Sequence, residues 1–353
     1  MLSPAVLLSL IAACFANTGV GKAETQTLRE AAARHRMIIG TAADAVHLKE
    51  NDYATTLSGE FNQLQAENEM KFDALHPRPD TDPNPYNFGP ADQLVEFAQS
   101  HKMLVRGHTL MWHSQVARWV TGGHYTPDQL STILKGHIDT VMKHYAGKVY
   151  AWDVVNEAFN DDGALRSTIW YNRPGIGLAD QGTKTIEQAF RWAHDADPKA
   201  QLFYNDYGIE TLGKKSDAVY AMLKDFRARG VPVYGIGFQC HFDLSFDNPG
   251  ALNSFEQNLK RFAGLGLKLH ITELDIRLKD SSDASLQAQA KLYGELAGIC
   301  VKQRACKLFQ IWGFTDKYSW IPGFTRGAAG WALPFDDHYQ KKPAYQAIFD
   351  AFK

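Results

Sequence analysis

Short apolar runs alternate with longer segments of helical periodicity along most of this chain. Eight of the runs have the length and composition of strands, and a helical segment lies between most neighbours. Strands that alternate with helices form a parallel sheet, and eight such units favour a closed (β/α)8 TIM barrel over an open, doubly wound sheet. The eight predicted strands centre on Ile39, Leu64, Val105, Val154, Phe203, Ile236, Leu269 and Phe309.

Three segments predict helices most clearly, and each precedes a predicted strand. Thr126 is suited to cap the first helix, Pro127 suits its first turn, and Gly230 is placed to end the second. Apolar side chains recur along one face of each segment, as expected for helices that pack on a sheet. The helices are predicted at 126–145, 216–229 and 254–265, and the strands that follow them at 149–155, 233–237 and 267–271.

The composition is that of a globular, nearly neutral protein. Of 353 residues 45% are hydrophobic, and 37 basic residues against 39 acidic ones leave a net charge of −2. Because no basic stripe is visible, nucleic acid is not expected as a partner. Barrels of this kind use this length as one domain, and no linker or internal repeat divides the chain. We therefore expect a single catalytic domain over residues 24–353, acting as a monomer.

The N-terminal segment has the pattern of a secretory signal peptide. An apolar run over residues 5–15, too short to span a bilayer, is followed by small residues and then by polar sequence. We expect a signal peptide over residues 1–23, with cleavage somewhere between 16 and 23; a buried N-terminal helix is the alternative. No other segment approaches membrane-spanning length. The mature protein is accordingly expected to be secreted, extracellular and free of a membrane anchor.

The cysteines fit an oxidising compartment. Cys14 would leave with the signal peptide, whereas Cys300 and Cys306 are close enough to bridge across the turn between a helix and the next strand. So small a loop would stabilise the fold by about 2 kcal/mol. Cys240 is left unpaired and is expected to be a buried free thiol.

Polar and aromatic side chains cluster where the predicted strands end. Because the carboxyl ends of parallel strands meet at one face of a barrel, these side chains are expected to line a single cleft. The set, in chain order, is Glu67, Asn68, Lys71, His108, Trp112, His113, Gln115, Asn156, Glu157, Asn205, Tyr207, Gln239, His241, Glu273, Asp275, Trp312 and Trp320.

Two glutamates in this set stand out because each closes an apolar, strand-like run. These are Glu157 in WDVVNEAFN and Glu273 in LKLHITELD. Hydrolysis of a glycosidic bond needs one acid that protonates the leaving oxygen and one carboxylate that acts at the anomeric carbon. Two carboxylates facing each other across a cleft supply both functions, and Asn156 is suited to bind a sugar hydroxyl beside the bond being broken.

Neighbouring side chains are suited to support this pair. His241 and Asp275 are placed to hold Glu273 in its charged form and to fix its orientation. Trp312 and Trp320 offer apolar ring faces that pack against the C–H surfaces of sugars. The cleft is therefore predicted to bind a carbohydrate.

The motifs WDVVNEAF, ITELD, RGHTLMWHSQ and WGFTDKYSW, in their order along the chain, resemble those of the family 10 glycoside hydrolases. These are retaining endo-β-1,4-xylanases built on (β/α)8 barrels, and the resemblance runs from about residue 26 to Lys353. It implies endo-acting hydrolysis of xylan and xylo-oligosaccharides through a covalent glycosyl-enzyme intermediate, without a cofactor. The Cys300–Cys306 pair matches a disulfide common in fungal members, so the chain is expected to be fungal-like.

The resemblance also assigns roles to particular residues. It makes Glu157 the general acid/base and Glu273 the nucleophile, with Asn156, Gln239, His241 and Asp275 as the side chains that support them. It places sugar units on the non-reducing side against Glu67, Asn68, Lys71, His108, Trp112, Gln115, Trp312 and Trp320. Asn205 and Tyr207 complete the predicted substrate-binding set.

Three other functions were compared with this prediction. A zinc hydrolase is disfavoured, because His108, His113 and His241 lack the short paired spacing of histidine ligands on one helix. A non-catalytic sugar-binding barrel would keep the aromatic residues and lose one of the two glutamates, but both are present. A β-1,4-glucanase of similar architecture stays open. Xylose lacks the C6 hydroxymethyl group of glucose, so the choice depends on the room that the cleft leaves.

Overall fold

The computed structural model describes residues 26–171, 176 and 181–353, and the predicted signal peptide at 1–23 lies outside them. All the strand pairings are parallel, in the order β6-β5-β4-β3-β2-β1-β9-β8-β7, and β6 also pairs with β8. That pairing closes eight strands into the predicted barrel. The strands are β1 (Ile38–Ala43), β2 (Gln63–Ala66), β3 (Leu104–Met111), β4 (Ala151–Asn156), β5 (Gln201–Asp206), β6 (Gly235–Phe238), β7 (His241–Asp243), β8 (Lys268–Arg277) and β9 (Cys306–Ile311).

Helices connect most of the strands and cover the outside of the barrel. Within the described residues they are α1 (Leu28–Arg34), α2 (Asn51–Glu60), α3 (Phe72–Leu75), α4 (Gly89–Ser100), α5 (Arg118–Thr121), α6 (Pro127–His144), α7 (Lys184–Ala196), α8 (Lys214–Ala228), α9 (Pro249–Gly264), α10 (Asp283–Lys302), α11 (Ile321–Phe324) and α12 (Pro343–Ala351). None of these helices is both long and apolar enough to cross a lipid bilayer.

The helix α6 forms as its sequence predicts. The Thr126 side chain accepts a hydrogen bond from the backbone N–H of Gln129, and the Gln129 side chain accepts one from the backbone N–H of Thr126. This reciprocal cap satisfies two backbone donors that would otherwise lack partners. The prediction for α9 began five residues too late. Asn248 caps that helix through the N–H of Ala251, and Pro249 occupies its first turn.

The strand β8 is longer than predicted, and this corrects the expected position of Glu273. The predicted run stops at residue 271, whereas β8 continues to Arg277, so Glu273 and Asp275 lie within the strand rather than after it. Two pairings hold the extension: Leu274 still pairs with Ile311 of β9, and the short strand β7 pairs with the last three residues, with His241 opposite Asp275 in register. Glu273 therefore lies within the barrel sheet, and Asp275 lies in the added ladder.

The interior of the barrel contains a buried ion pair that positions the cleft. The guanidinium of Arg106 on β3 donates two hydrogen bonds to the carboxylate of Asp153 on β4, and both side chains are fully buried. Arg106 also donates to Gln65 Oε1 at 2.7 Å. The same Asp153 carboxylate lies 2.9 Å from Nδ1 of His108, which faces the cleft above. The ion pair therefore fixes the ring of His108.

Cys300 and Cys306 form the predicted disulfide between α10 and β9, and Cys240 is a buried free thiol, as expected. Replacing both bridged cysteines with alanine is expected to lower the free energy of unfolding by about 2 kcal/mol, because the unfolded chain regains the freedom of a small loop. Urea denaturation measures the loss. Cys240→Ala is the control: it keeps the Cys300–Cys306 bridge, so its midpoint should fall when a reductant is added, whereas the midpoint of the double variant should not change. An equal response to reductant in both variants would contradict the assignment.

Candidate active site

A cleft of about 970 Å³ opens at the C-terminal face of the barrel. Its lining includes all but three of the residues that were predicted to line a single cleft. The predicted residues that line it are Glu67, Asn68, Lys71, His108, Trp112, Gln115, Asn156, Glu157, Tyr207, Gln239, His241, Glu273, Trp312 and Trp320. Of the three exceptions, Asn205 and Asp275 are fully buried beneath its surface, and His113 lines a smaller pocket next to Glu157.

Glu157 follows β4 directly and is held from several sides. Its φ of 56° is uncommon for a residue with a side chain and marks the sharp turn that leaves the strand. Oε2 accepts a hydrogen bond from Trp112 Nε1 at 2.9 Å. Oε1 accepts from Gln239 Nε2 at 2.9 Å and from Asn156 Nδ2 at 3.1 Å. The carboxyl group is thus fixed while it still faces the cleft.

Glu273 lies deeper and is paired with a histidine. Oε2 lies 3.1 Å from His241 Nε2, and the other ring nitrogen of His241 lies 2.9 Å from Asp275 Oδ2. Burial raises the pKa of the Glu273 carboxyl, but the hydrogen bond from His241 and the field of His108 outweigh it and lower the pKa to about 2. Burial lowers the pKa of His241, but Asp275 and Glu273 together raise it to about 10. Near neutral pH a charged imidazolium therefore faces a charged Glu273.

A chain of amides joins the two carboxyl groups. Asn205 Nδ2 donates to Glu273 Oε1 at 2.8 Å and to Asn156 Oδ1 at 2.8 Å, which uses both of its amide protons. Asn156 in turn donates to Glu157. A Cβ atom added at Gly237 would lie 2.2 Å from Asn205 Oδ1, so the glycine leaves the space that Asn205 occupies. Asn205, predicted to touch substrate, instead acts on both glutamates from beneath.

One end of the cleft combines a cation with aromatic faces. Lys71 Nζ donates to Asn68 Oδ1 at 2.9 Å and lies 5.1 Å from the ring centre of Trp112 and 5.8 Å from that of Trp312. Burial raises the pKa of the neighbouring Glu67 carboxyl to about 7. An ammonium group, an amide and two indole rings facing one space are suited to bind hydroxyl groups and C–H faces of a sugar.

Several functional positions had no recognisable sequence signal. Arg166 Nε donates to the backbone oxygen of Glu157 at 3.0 Å, and its terminal nitrogen donates to the Tyr207 hydroxyl at 3.1 Å. It lies in a loop beyond the strand end, outside the pattern that led to the other residues. Additional side chains that line the cleft are Glu210, Phe242, Phe246, Arg277 and Phe324. Phe324 is 66% exposed, and that exposure is visible only in the fold.

Replacing His241 with asparagine is expected to lower the free energy of unfolding by about 3 kcal/mol near pH 5.5, because two buried carboxylates lose their cation. The carboxylate of Glu273, with its pKa lowered to about 2, stabilises the folded protein above pH 4.5, and this stabilisation is lost as the pH falls towards 2. The imidazolium of His241, with its pKa raised to about 10, stabilises the folded protein below pH 6.5, and this stabilisation is lost as the pH rises towards 10. The difference from wild type should therefore be greatest between pH 4.5 and 6.5.

Urea denaturation at pH 3, 5.5 and 9.5 measures this dependence. His35→Asn is the matched control, because His35 is exposed at the end of α1. A destabilisation by His241→Asn that is equal at all three pH values would contradict the proposed charge pairing.

Across residues 26–171, 176 and 181–353, no group of three or more His, Cys, Asp or Glu side chains is placed to hold a metal ion.

Known proteins share both the sequence and the fold. The family model for glycosyl hydrolase family 10 matches residues 27–351. Endo-1,4-beta-xylanase B of Thermotoga neapolitana is 44% identical over 98% of this chain and 96% of its own length. Endo-1,4-beta-xylanase C of Phanerodontia chrysosporium is 38% identical over 94% of this chain and 79% of its own. The crystal structure of xylanase 10B from Thermotoga petrophila RKU-1 in complex with xylobiose superimposes with a TM-score of 0.87, at 44% identity, over 94% of this chain and 98% of that one.

A closed (β/α)8 barrel with two carboxyl groups in the cleft at its C-terminal face has the architecture of a glycoside hydrolase. The chain belongs to glycosyl hydrolase family 10. The resemblance seen in its motifs is thereby confirmed over nearly the whole sequence.

Proposed function

We propose that this protein is an endo-1,4-β-xylanase that hydrolyses xylan with retention of configuration. The observation that carries the proposal is the pair Glu157 and Glu273, which face one cleft in unequal environments. Glu273 is kept ionised by its imidazolium partner, whereas Glu157 accepts hydrogen bonds only from neutral amide and indole groups. The xylanase relatives, one of them solved with xylobiose, support the substrate class.

In the first step Glu273 acts as nucleophile. Its carboxylate forms a bond to the anomeric carbon while the bond from that carbon to the leaving oxygen breaks, and Glu157 gives its proton to that oxygen. The first product is a sugar with a free hydroxyl, and the second is a covalent glycosyl-enzyme ester. The hydrogen bond from Asn205 holds Glu273 in the position from which it attacks.

In the second step Glu157, now a carboxylate, takes a proton from water while the water oxygen attacks the same carbon. The ester bond breaks and Glu273 regains its negative charge, which the imidazolium of His241 stabilises. Two inversions at one carbon give net retention. Trp112 and Gln239 keep the Glu157 carboxyl at one position through both steps.

We assign the sugar-binding roles on the same basis. Side chains at the end of the cleft that contains Lys71, Trp112 and Trp312 bind sugar units on the non-reducing side. Tyr207, which follows the fifth strand, contacts the substrate. Asn156 binds a hydroxyl next to the bond that breaks, while Asn205 and Asp275 act as positioning residues beneath the cleft. The non-reducing side is assigned to Glu67, Asn68, Lys71, His108, Trp112, Gln115, Trp312 and Trp320.

Product analysis on xylan and on carboxymethyl cellulose, side by side, tests the substrate class. The expected result is release of short xylo-oligosaccharides, with cellulose cleaved at least about a hundredfold more slowly, because the extra hydroxymethyl group must fit against a cleft closed by indole rings. Equal rates on both polymers would favour a β-1,4-glucanase. Release of single xylose units from chain ends would contradict endo action.

We also infer that residues 1–23 are a signal peptide and that residues 24–353 form a secreted monomer. The apolar run of the N-terminal segment and the disulfide support this inference. N-terminal sequencing of the protein from culture medium should find a first residue between 17 and 24. Sedimentation analysis of that protein should give the mass of a single chain.

A further inference from the structure

A second cavity, of about 310 Å³, opens at the opposite end of the barrel from the catalytic cleft. Its lining comes from residues at or just before the first positions of the strands, including Tyr150, Tyr234 and Lys268. Strands of six residues span roughly 20 Å, so the cavity is separated from the cleft by the full length of the barrel. A volume at the lower end of the ligand-pocket range has room for one small molecule.

The cavity is positively charged. Its lining contains Arg36, Lys268 and Lys307 and no carboxylate. Lys268 begins β8, Lys307 is the second residue of β9, and Arg36 lies two residues before β1. Because β8, β9 and β1 are neighbours and adjacent strands lie about 4.8 Å apart, the three cations come from one side of the mouth. In the described part of the chain none of the three forms an ion pair.

A buried histidine forms part of the wall. His270 is 1% exposed, lines the cavity, and its Nδ1 has no hydrogen-bond partner among the described residues. Burial and the nearby Arg106 hold the pKa of His270 well below its usual value, so the ring is neutral and carries one N–H donor. The Nδ1 atom is sealed from solvent, so the ring contributes a neutral, uncharged part of the wall rather than a donor to a ligand.

Two tyrosine rings complete the mouth. Tyr234 is 39% exposed and packs edge-to-face against Phe203, whose ring stacks on His270 with centres 4.0 Å apart. The hydroxyl of Tyr150 donates to Gln63, so its ring is fixed in place. Aromatic faces beside cations suit a ligand that has both C–H surface and negative charge, rather than a bare inorganic anion.

We propose that this N-terminal mouth is a second binding site, which takes a sugar carboxylate such as glucuronate. The carboxylate lies among Arg36, Lys268 and Lys307, and the sugar ring packs on Tyr234. The site is independent of the catalytic chemistry, since it shares no residue with the cleft. It serves free uronic acid or a uronate branch on a polysaccharide equally well.

Calorimetric titration of the whole protein with glucuronate tests the proposal, with glucose and inorganic phosphate as comparison ligands. The expected dissociation constant for glucuronate is about 1 mM, and glucose should bind at least about tenfold more weakly. In the double variant Lys268→Met, Lys307→Met, the constant for glucuronate should rise at least about tenfold. Thermal unfolding should stay close to wild type, because both lysines lie at the surface end of their strands.

The matched control is Lys214→Met, Lys224→Met, which removes the same charge from two exposed positions on α8. It should bind glucuronate as the wild type does. Equal weakening in both double variants would mean that only net charge matters and would overturn the proposal. Phosphate binding as tight as glucuronate binding would overturn the sugar assignment.

Gel electrophoresis in a matrix of uronate-branched xylan distinguishes the two sources of the ligand. In the inactive Glu273→Ala background, retardation that is greater in branched than in unbranched xylan, and that falls to the unbranched level when Lys268→Met, Lys307→Met is added, would identify polymer branches as the ligand. Retention of free glucuronate binding without retardation would identify the free acid. Because neither measurement depends on turnover, failure here is separate from failure of the xylanase assignment.

Discussion

Replacing Glu273 with alanine is expected to lower kcat on xylan by at least about three orders of magnitude, because no covalent intermediate can form. The variant also leaves a space next to the anomeric carbon. Azide entering that space should attack the face that Glu273 used and restore part of the rate, without a second displacement. Its product should be the α-configured glycosyl azide, which proton NMR of the anomeric hydrogen identifies.

Two comparisons make this result specific. Glu273→Gln keeps the shape of the side chain, so it should be equally slow but should respond far less to azide. Glu210→Gln changes another buried carboxyl that lines the same cleft, and azide should not change its rate or its product. Activity that survives Glu273→Ala intact, or a β-configured azide product from it, would show that Glu273 is not the nucleophile.

Replacing Glu157 with alanine should have an effect that depends on the leaving group. General acid catalysis contributes about 10²–10⁴-fold, and it matters most when the departing oxygen is a poor leaving group. Turnover of xylan is therefore expected to fall by about that factor. The first step on a dinitrophenyl xylobioside, whose leaving group departs unprotonated, should change much less. Comparing kcat/KM on the two substrates measures the difference.

Azide distinguishes the two glutamates by stereochemistry. In Glu157→Ala the ester on Glu273 still forms, so azide attacks that ester in a second displacement and the product should be β-configured. Trp112→Phe is the control, because it removes one hydrogen bond to Glu157 and keeps the carboxyl group. Because Trp112 also contacts the sugar in our assignment, any loss it causes should be of similar size on both substrates. Equal losses on xylan and on the activated substrate would argue against an acid role for Glu157.

The part of the site that the sequence could predict is the set of polar residues at the carboxyl ends of the strands. The eight apolar runs mark the barrel strands, and the polar residues after them converge because all the strands point the same way. Glu157 lies directly after β4, where the apolar run before it predicted the end of a strand. Asn205 shows the limit of that pattern: it is an amide near the end of a strand, like Asn156, yet it is fully buried, and its side chain contacts Glu273 directly and Glu157 only through Asn156.

The features that sequence reasoning missed depend on contacts between distant segments. The last three residues of β8 are strand because β7 pairs with them, and the three residues of β7 are too few to give a recognisable strand pattern. Arg106 and Asp153 look like surface charges in a sequence, because a buried ion pair has no local signature. Arg166 acts through a loop that folds back on Glu157, which depends on the path of the chain rather than on composition.

The amide chain that runs from Glu273 through Asn205 and Asn156 to Glu157 has a consequence for how substitutions combine. Groups within one hydrogen-bonded network do not contribute independently, so energies measured one residue at a time will not sum. Engineering of the pH profile should therefore treat both glutamates and both asparagines as a single unit. A library that varies any one of these four positions alone will misjudge the other three.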